Sequence, residues 1–202
     1  MTIRAVYVDF GGVLVRTEDK GPRTRLAERL GMSYQEIEAV VFGSRSSRQA
    51  STGAIPEEAH WQACAEALGV SRQEMDAIGQ EFFAGDVIDT ALLDYLRSLR
   101  PRYKIGLISN AWSGLRAFIT RSGFEDVFDL MVISAEIGMM KPAAPIFQYA
   151  LDQFGIAPQE AVFVDDFPEN IDGALAVGMQ AIHFTDLQLT RRQIESMLNS
   201  HG

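Results

Sequence analysis

Five short apolar runs, IRAVYVDF, YKIGLISN, DLMVISAE, EAVFVDD and the weaker QAIHF, recur along this 202-residue chain. A strand with one wet face alternates apolar and polar residues. Runs that are apolar on both sides of the pleat belong to strands buried on both faces, as in a parallel sheet covered by helices. Between the runs lie TALLDYLRSLR, WSGLRAFITRSG, APIFQYALDQFG and PENIDGALAVG, each with a helical spacing of apolar residues. Strand and helix therefore alternate, and this predicts an α/β fold with a doubly wound parallel sheet.

One stretch departs from that rhythm. From about Thr17 to about Gly85 there are several helix signals and no convincing strand. Pro22 and Pro56 stand where a first helical turn begins, Gly31 and Gly69 where helices stop. Ser33 with Glu36, and Ser71 with Glu74, have the spacing of a reciprocal cap, in which the serine receives the N3 amide and the glutamate receives the serine amide. The pattern predicts an inserted bundle of roughly four helices, with GSRSSRQAST as its least regular part. The expected organisation is an α/β core of residues 1–16 and 88–202 and a helical cap of residues 17–87. The hinge is expected near Arg16 to Lys20 and again near Gly85 to Asp89.

Composition narrows the function. The net charge of −9 comes from acids spread along the chain, which argues against a nucleic-acid partner, since phosphate backbones need clustered Lys and Arg. Cys64 is the only cysteine; it has no internal disulfide partner, fits a reducing compartment, and reads as a buried helical thiol. Arg4 and Asp9 interrupt the first apolar run, so no secretory signal is expected, and no run reaches membrane-spanning length. The expectation is a cytoplasmic protein with no membrane partner and an unspecified oligomeric state.

In open parallel sheets, ligands bind beyond the carboxyl ends of the strands, where helix N-termini point free amides. Asp9, Ser109 with Asn110, and Asp165 with Asp166 stand at such ends, and Lys141 follows DLMVIS at the start of a helix. These groups are expected to converge. Asp9 on its strand is able to attack as a carboxylate nucleophile. Lys141 supplies positive charge to a transferring oxyanion, while Ser109 and nearby amides hold its oxygens. Three acids in one crevice repel strongly unless a cation lies among them, and hard oxygen ligands suit magnesium better than zinc. Together these parts describe phosphoryl transfer to an aspartate.

The segments DFGGVL, LISNA, GMMKPAAPIF and VFVDDFPENIDGA resemble, in order and spacing, the four motifs of the haloacid dehalogenase-like (HAD) superfamily. The helical insertion after the first motif resembles that family's cap of the first type, and the resemblance covers nearly the whole chain. It implies that Asp9 is the nucleophile, that Ser109 binds phosphate, and that Lys141 balances charge. It further implies that Asp165 and Asp166 hold Mg2+ together with Asp9 and the backbone carbonyl of Gly11. Asn110 completes the phosphate-binding set with Ser109 and Lys141, or orients Asp9, or bonds the turn after its strand.

Family phosphatases usually carry a second acid two residues after the nucleophile, and here that position is Gly11. General acid–base help is worth about 10²–10⁴ in rate. Three readings follow. The first is a magnesium-dependent phosphatase for a small phosphorylated metabolite with an easily departing leaving group, Glu18 or Asp19 being candidate substitutes for the acid. The second is a low-turnover binding or regulatory protein. The third is a metal-independent 2-haloacid dehalogenase, in which the acidic pair has no cation to hold. Asn170 is expected to hydrogen-bond a metal ligand and Asp172 to be a surface charge. Trp112 either lines the pocket mouth or packs. His60 and Trp61 read as core residues of a cap helix, and Arg45 and Arg48 either contact an anion or are solvated.

Overall fold

The computed structural model describes residues 2–199; the outermost residues of the expected core, 1 and 200–202, lie outside them. β1 (Ala5–Val8) leads through a tight turn into β2 (Val15–Thr17). There follow α1 (Gly21–Arg29), α2 (Tyr34–Glu38), a π-helical turn (Ala39–Gly43), α3 (Arg45–Ser51), α4 (Glu57–Leu68) and α5 (Arg72–Phe82). β3 (Asp86–Ile88) brings the chain back, and α6 (Thr90–Leu99), β4 (Lys104–Ser109), α7 (Leu115–Arg121) and β5 (Leu130–Ile133) follow. The rest alternates: α8 (Ser134–Ile137), α9 (Ala144–Phe154), β6 (Ala161–Asp165), α10 (Pro168–Ala176), β7 (Gln180–His183) and α11 (Leu187–Asn199).

Each of the five apolar runs supplies one strand of a parallel sheet in the order β5-β4-β1-β6-β7. Successive side chains of a strand point to opposite faces, and the core divides accordingly. Val6, Val8, Ile105, Leu107, Val162 and Val164 face Leu92, Leu96, Ile119 and Ile194 of α6, α7 and α11. Ala5, Tyr7, Ile108 and Phe163 face Ile146, Phe147 and Ala174 of α9 and α10. The sheet is thus covered on both faces, as expected. Each large side chain buried here contributes on the order of 2 kcal/mol. Tyr7 pairs across the ladder with Gly106, where a Cβ would collide with its ring, and its hydroxyl donates to the Ala150 carbonyl at 2.7 Å.

The helical insert has its own apolar centre, formed by Leu26, Ile37, Val41, Cys64, Met75, Ile78 and Phe82. Both expected reciprocal caps are present, at Ser33–Glu36 and Ser71–Glu74. Two expectations need correction. The segment GSRSSRQAST is not irregular: Ser44 accepts the Ser47 amide at 3.2 Å and starts α3. Its few apolar residues hide it, because the buried face is made of Ser47, Ala50 and Ser51. The insert holds five α-helices and a π-helical turn instead of about four helices. At the two expected hinges the chain forms strands, β2 and β3 pairing antiparallel as a two-strand ribbon with Thr17 opposite Asp86. Three-residue strands are too short to show a period.

Candidate active site

β1 is the central strand, with β4 and β6 as its two neighbours, so the residues that follow these three strands gather at one edge. Asp9 follows β1 and donates its amide to the Val164 carbonyl at 2.9 Å. Ser109 ends β4, Asp165 ends β6, and Asp166 is the next residue. Lys141 lies between α8 and α9 with its side chain fully buried. Its Nζ stands 2.8 Å from Asp9 Oδ1 and 2.6 Å from Asp165 Oδ2. One amine thus bridges two buried carboxylates; removing the amine would strand buried charge at a cost of about 3–5 kcal/mol.

The neighbouring contacts fix this unit. Asp9 Oδ1 also accepts the Phe10 amide at 2.7 Å. Asp165 is saturated: Oδ1 accepts the Phe167 amide at 2.8 Å, and Asn170 Nδ2 reaches both oxygens at 3.0 Å. Asn110 spends both ends of its amide on the main chain of Lys141, accepting its N–H at 2.8 Å and donating to its carbonyl at 2.9 Å. The side chain therefore ties the end of β4 to the segment that carries the amine. Ser134, which sequence reasoning missed, is fully buried and grips both main-chain groups of Ala111, accepting its amide at 3.0 Å.

Asp9, Asp165 and Asp166 offer carboxylate oxygens that all lie within 4.8 Å of one another. Asp166 differs from its neighbour: Oδ1 is buried and has no hydrogen-bond partner among the described residues. Burial, together with the charges of Asp9 and Asp165, pushes its carboxyl up to about 6. Burial raises the Asp9 carboxyl as well, with Lys141 opposing and Asp165 adding to the rise. An unpartnered buried carboxylate oxygen is costly. A hard divalent cation is the group that this all-oxygen donor set fits, and its charge would relieve the repulsion.

The turn from Phe10 to Val15 shapes the other side of the site. Gly12 donates its amide to the Val15 carbonyl at 2.9 Å and adopts φ +76°, in the left-handed region that favours glycine. A Cβ placed on Gly12 would overlap the Asp166 carboxylate. Gly12→Ala is therefore expected to displace Asp166 and weaken magnesium binding at least tenfold by calorimetry, with the far-ultraviolet circular dichroism retained. Undiminished affinity would show that Asp166 adapts. Gly11, one residue earlier, is exposed and has no atom within 4 Å of where a Cβ would lie.

The remaining candidates sort by their contacts. Glu18 pairs with Arg16 at 3.2 Å, and Asp19 accepts the Gly21 amide at 2.8 Å, so both are engaged at the start of the insert. Among the described residues, no hydrogen bond or ion pair joins either to Asp9, Lys141 or the acidic pair. Arg45, Arg48 and Asp172 are exposed. His60 is buried, its Nδ1 2.9 Å from Ser46 Oγ, and burial lowers its pKa. Burial likewise pushes the Cys64 thiol up to about 11, which leaves it unreactive. Trp112 belongs to the loop after β4 yet packs among His60, Trp61 and Phe42 of the insert, donating to Ser47 Oγ at 3.3 Å. Glu57 of the insert accepts the Gly114 amide at 2.6 Å, a second tie across the same junction.

A carboxylate–amine–carboxylate unit at the carboxyl edge of a doubly wound sheet is a ligand centre of the kind such sheets build at their switch points. Residues 3–178 match the family model of haloacid dehalogenase-like hydrolases, and the chain belongs to that family. It is similar to a D-ribitol-5-phosphate phosphatase of Bacteroides thetaiotaomicron, 25% identical over 98% of this chain and 100% of that protein. A pyrimidine 5'-nucleotidase of Escherichia coli is 39% identical over 42% of this chain and only 39% of its own length. Among solved structures, a HAD family enzyme of B. thetaiotaomicron in complex with magnesium and inorganic phosphate superposes with a TM-score of 0.76. It is 27% identical, with 93% of this chain and 98% of that one covered. No helix among the described residues is long and apolar enough to cross a membrane.

Proposed function

We propose that this chain is a magnesium-dependent phosphatase that acts on a small phosphorylated metabolite through a phosphorylated Asp9, and that it favours leaving groups able to depart without a proton. The observation that carries this reading is the buried, unpartnered oxygen of Asp166 beside Asp9. The end-to-end relative that is a phosphatase, and the superposed enzyme that holds magnesium and phosphate, support it.

In this reading Asp9, Asp166 and the Gly11 carbonyl hold the magnesium ion, with Asp165 completing the acidic wall. When bound, the ion offsets the carboxylate charge and draws in a phosphoryl oxygen. Asp9 Oδ1 is held by Phe10 and Lys141, which leaves Oδ2 as the oxygen that bonds to phosphorus as the leaving-group oxygen departs. Lys141 favours the ionised form of Asp9 against the effect of burial and faces the charge that develops on the phosphoryl group. Ser109 binds one of its oxygens. Asn110 acts by holding Lys141 in place, and Asn170 by holding Asp165. Water then attacks phosphorus and returns Asp9 as a carboxylate. Gly11 has no proton to give to the leaving group and no base for that water, so both half-reactions depend on the substrate and solvent. The helical insert serves as the cap over this chemistry, closing out water.

Acetyl phosphate tests the reading, because acetate leaves without a proton. Phosphate release is expected with magnesium and is expected to fall to background with EDTA, while a 2-haloacid releases no halide. Halide release without metal would replace this reading by the dehalogenase one, and ligand binding without turnover would replace it by the binding one.

A further inference from the structure

Phe42 is 48% exposed although rings surround it on several sides. It sits in the π-helical turn, whose wider winding re-aims a side chain relative to an α-helix and is frequent at functional sites. Its contacts place it. Toward the hinge it meets Phe82 and Phe83 at the end of α5, with ring centroids 5.4 and 6.0 Å away, and the Arg23 guanidinium carbon lies 5.8 Å from its own centroid. On the opposite side it lies nearly parallel to Trp112, at 5.9 Å and 26°. Trp112 is three residues beyond Ser109 in the loop after β4, and β4 adjoins β1, from whose turn the hinge ribbon rises. The ring thus connects the end of α5, next to β3, with the loop that follows Ser109.

The charges around the ring are already committed. Arg23 is 3% exposed, and its donors go to Glu38 at 2.7 Å, Asp86 at 3.2 Å and the Phe82 carbonyl at 3.2 Å. Among the described residues, the cation in contact with Phe42 is thus already paired with two carboxylates. An exposed ring backed by a stacked indole and a guanidinium paired with two carboxylates favours a flat, uncharged surface.

We infer that Phe42 borders the opening above Asp9 and Ser109 as the wall against which the substrate's leaving group packs, and that this group is an uncharged aromatic or heteroaromatic ring. The inference rests on the phosphatase reading for which part of the substrate leaves. Ring packing of this kind is worth about five- to tenfold in affinity.

Two phosphonates that cannot be hydrolysed read it directly. With magnesium present, wild type binds phenylphosphonate more tightly than methylphosphonate by calorimetry. Phe42→Ala weakens phenylphosphonate about five- to tenfold and methylphosphonate by less than about twofold, and Phe42→Trp restores the preference. In turnover, Phe42→Ala raises KM for 4-nitrophenyl phosphate with kcat little changed, and leaves acetyl phosphate alone. Equal weakening of both phosphonates, or a wild type that does not prefer or does not bind phenylphosphonate, overturns the inference. Failure of wild type to release phosphate from either substrate counts against the phosphatase reading instead, and the phosphonate ratio still reports on Phe42.

Discussion

Asp9→Asn is expected to reduce phosphate release by roughly 10⁴–10⁶, the loss that follows removal of a covalent nucleophile. The substitution keeps the shape of the side chain and removes its charge. Lys141 retains Asp165 at 2.6 Å, so the amine is not stranded and the variant should fold with a melting temperature close to wild type. Rapid quench and mass spectrometry separate this outcome from a general defect. Wild type incubated with acetyl phosphate and magnesium gains one phosphoryl group, and Asp9→Asn gains none. A variant that releases phosphate at a tenth of the wild-type rate would show that Asp9 is not attacked.

Gly11→Asp is expected to work in the opposite direction. Position 11 is exposed and open, with nothing within 4 Å of a built Cβ, so a carboxylate can be added without moving the site. Hydrolysis of ordinary phosphomonoesters should rise by about 10²–10⁴, the usual contribution of a placed general acid and base. Acetyl phosphate should rise far less, because its leaving group needs no proton, although the water step also gains a base. The comparison of the two substrates is the measurement. An equal rise for both would locate the gain in hydrolysis of phospho-Asp9, and no rise for either would remove the missing acid as the cause of selectivity.

The sheet could be read from the sequence because its strands are short, β-branched and apolar on both faces, and because β4 and β6 end in a polar residue and β1 is followed by one. Physical convergence of Asp9, Lys141, Asp165 and Asp166 followed from the rule that strand ends share one edge. Other features resist such reading. Two adjacent glycines, Gly11 and Gly12, look alike as letters, yet one is open to solvent and the other sits under Asp166 at φ +76°. The partner of Asn110 lies 31 residues away on a main chain, and no local pattern announces it. The packing of Trp112 depends on where the insert rests, which its own periodicity does not determine. By contrast, α11 carried readable signals that went unread: Asp186 receives the Leu189 amide at 2.8 Å, and Thr190, Ile194 and Leu198 fall four apart on its buried face.

The ribbon of β2 and β3 has a mechanical consequence. Asp86 of β3 accepts from Thr17 at 2.6 Å and pairs with Arg23, which is sunk in the insert; at the ribbon's other end Arg16 holds Asp89 at 2.9 Å. Beyond the ribbon, the Gly85 carbonyl receives both the Glu18 and Asp19 amides, and only a glycine leaves room there for the Asp19 carbonyl. Insert and ribbon are thereby riveted into one lever, and any change of its tilt against the sheet must be absorbed at its foot, between Leu14 and Asp89. On the proposed mechanism, that foot and the carboxylate of Asp9 lie only a few residues apart along the chain. Drift in the distal helices can remodel the upper wall while the axle and the anvil beneath it keep their alignment.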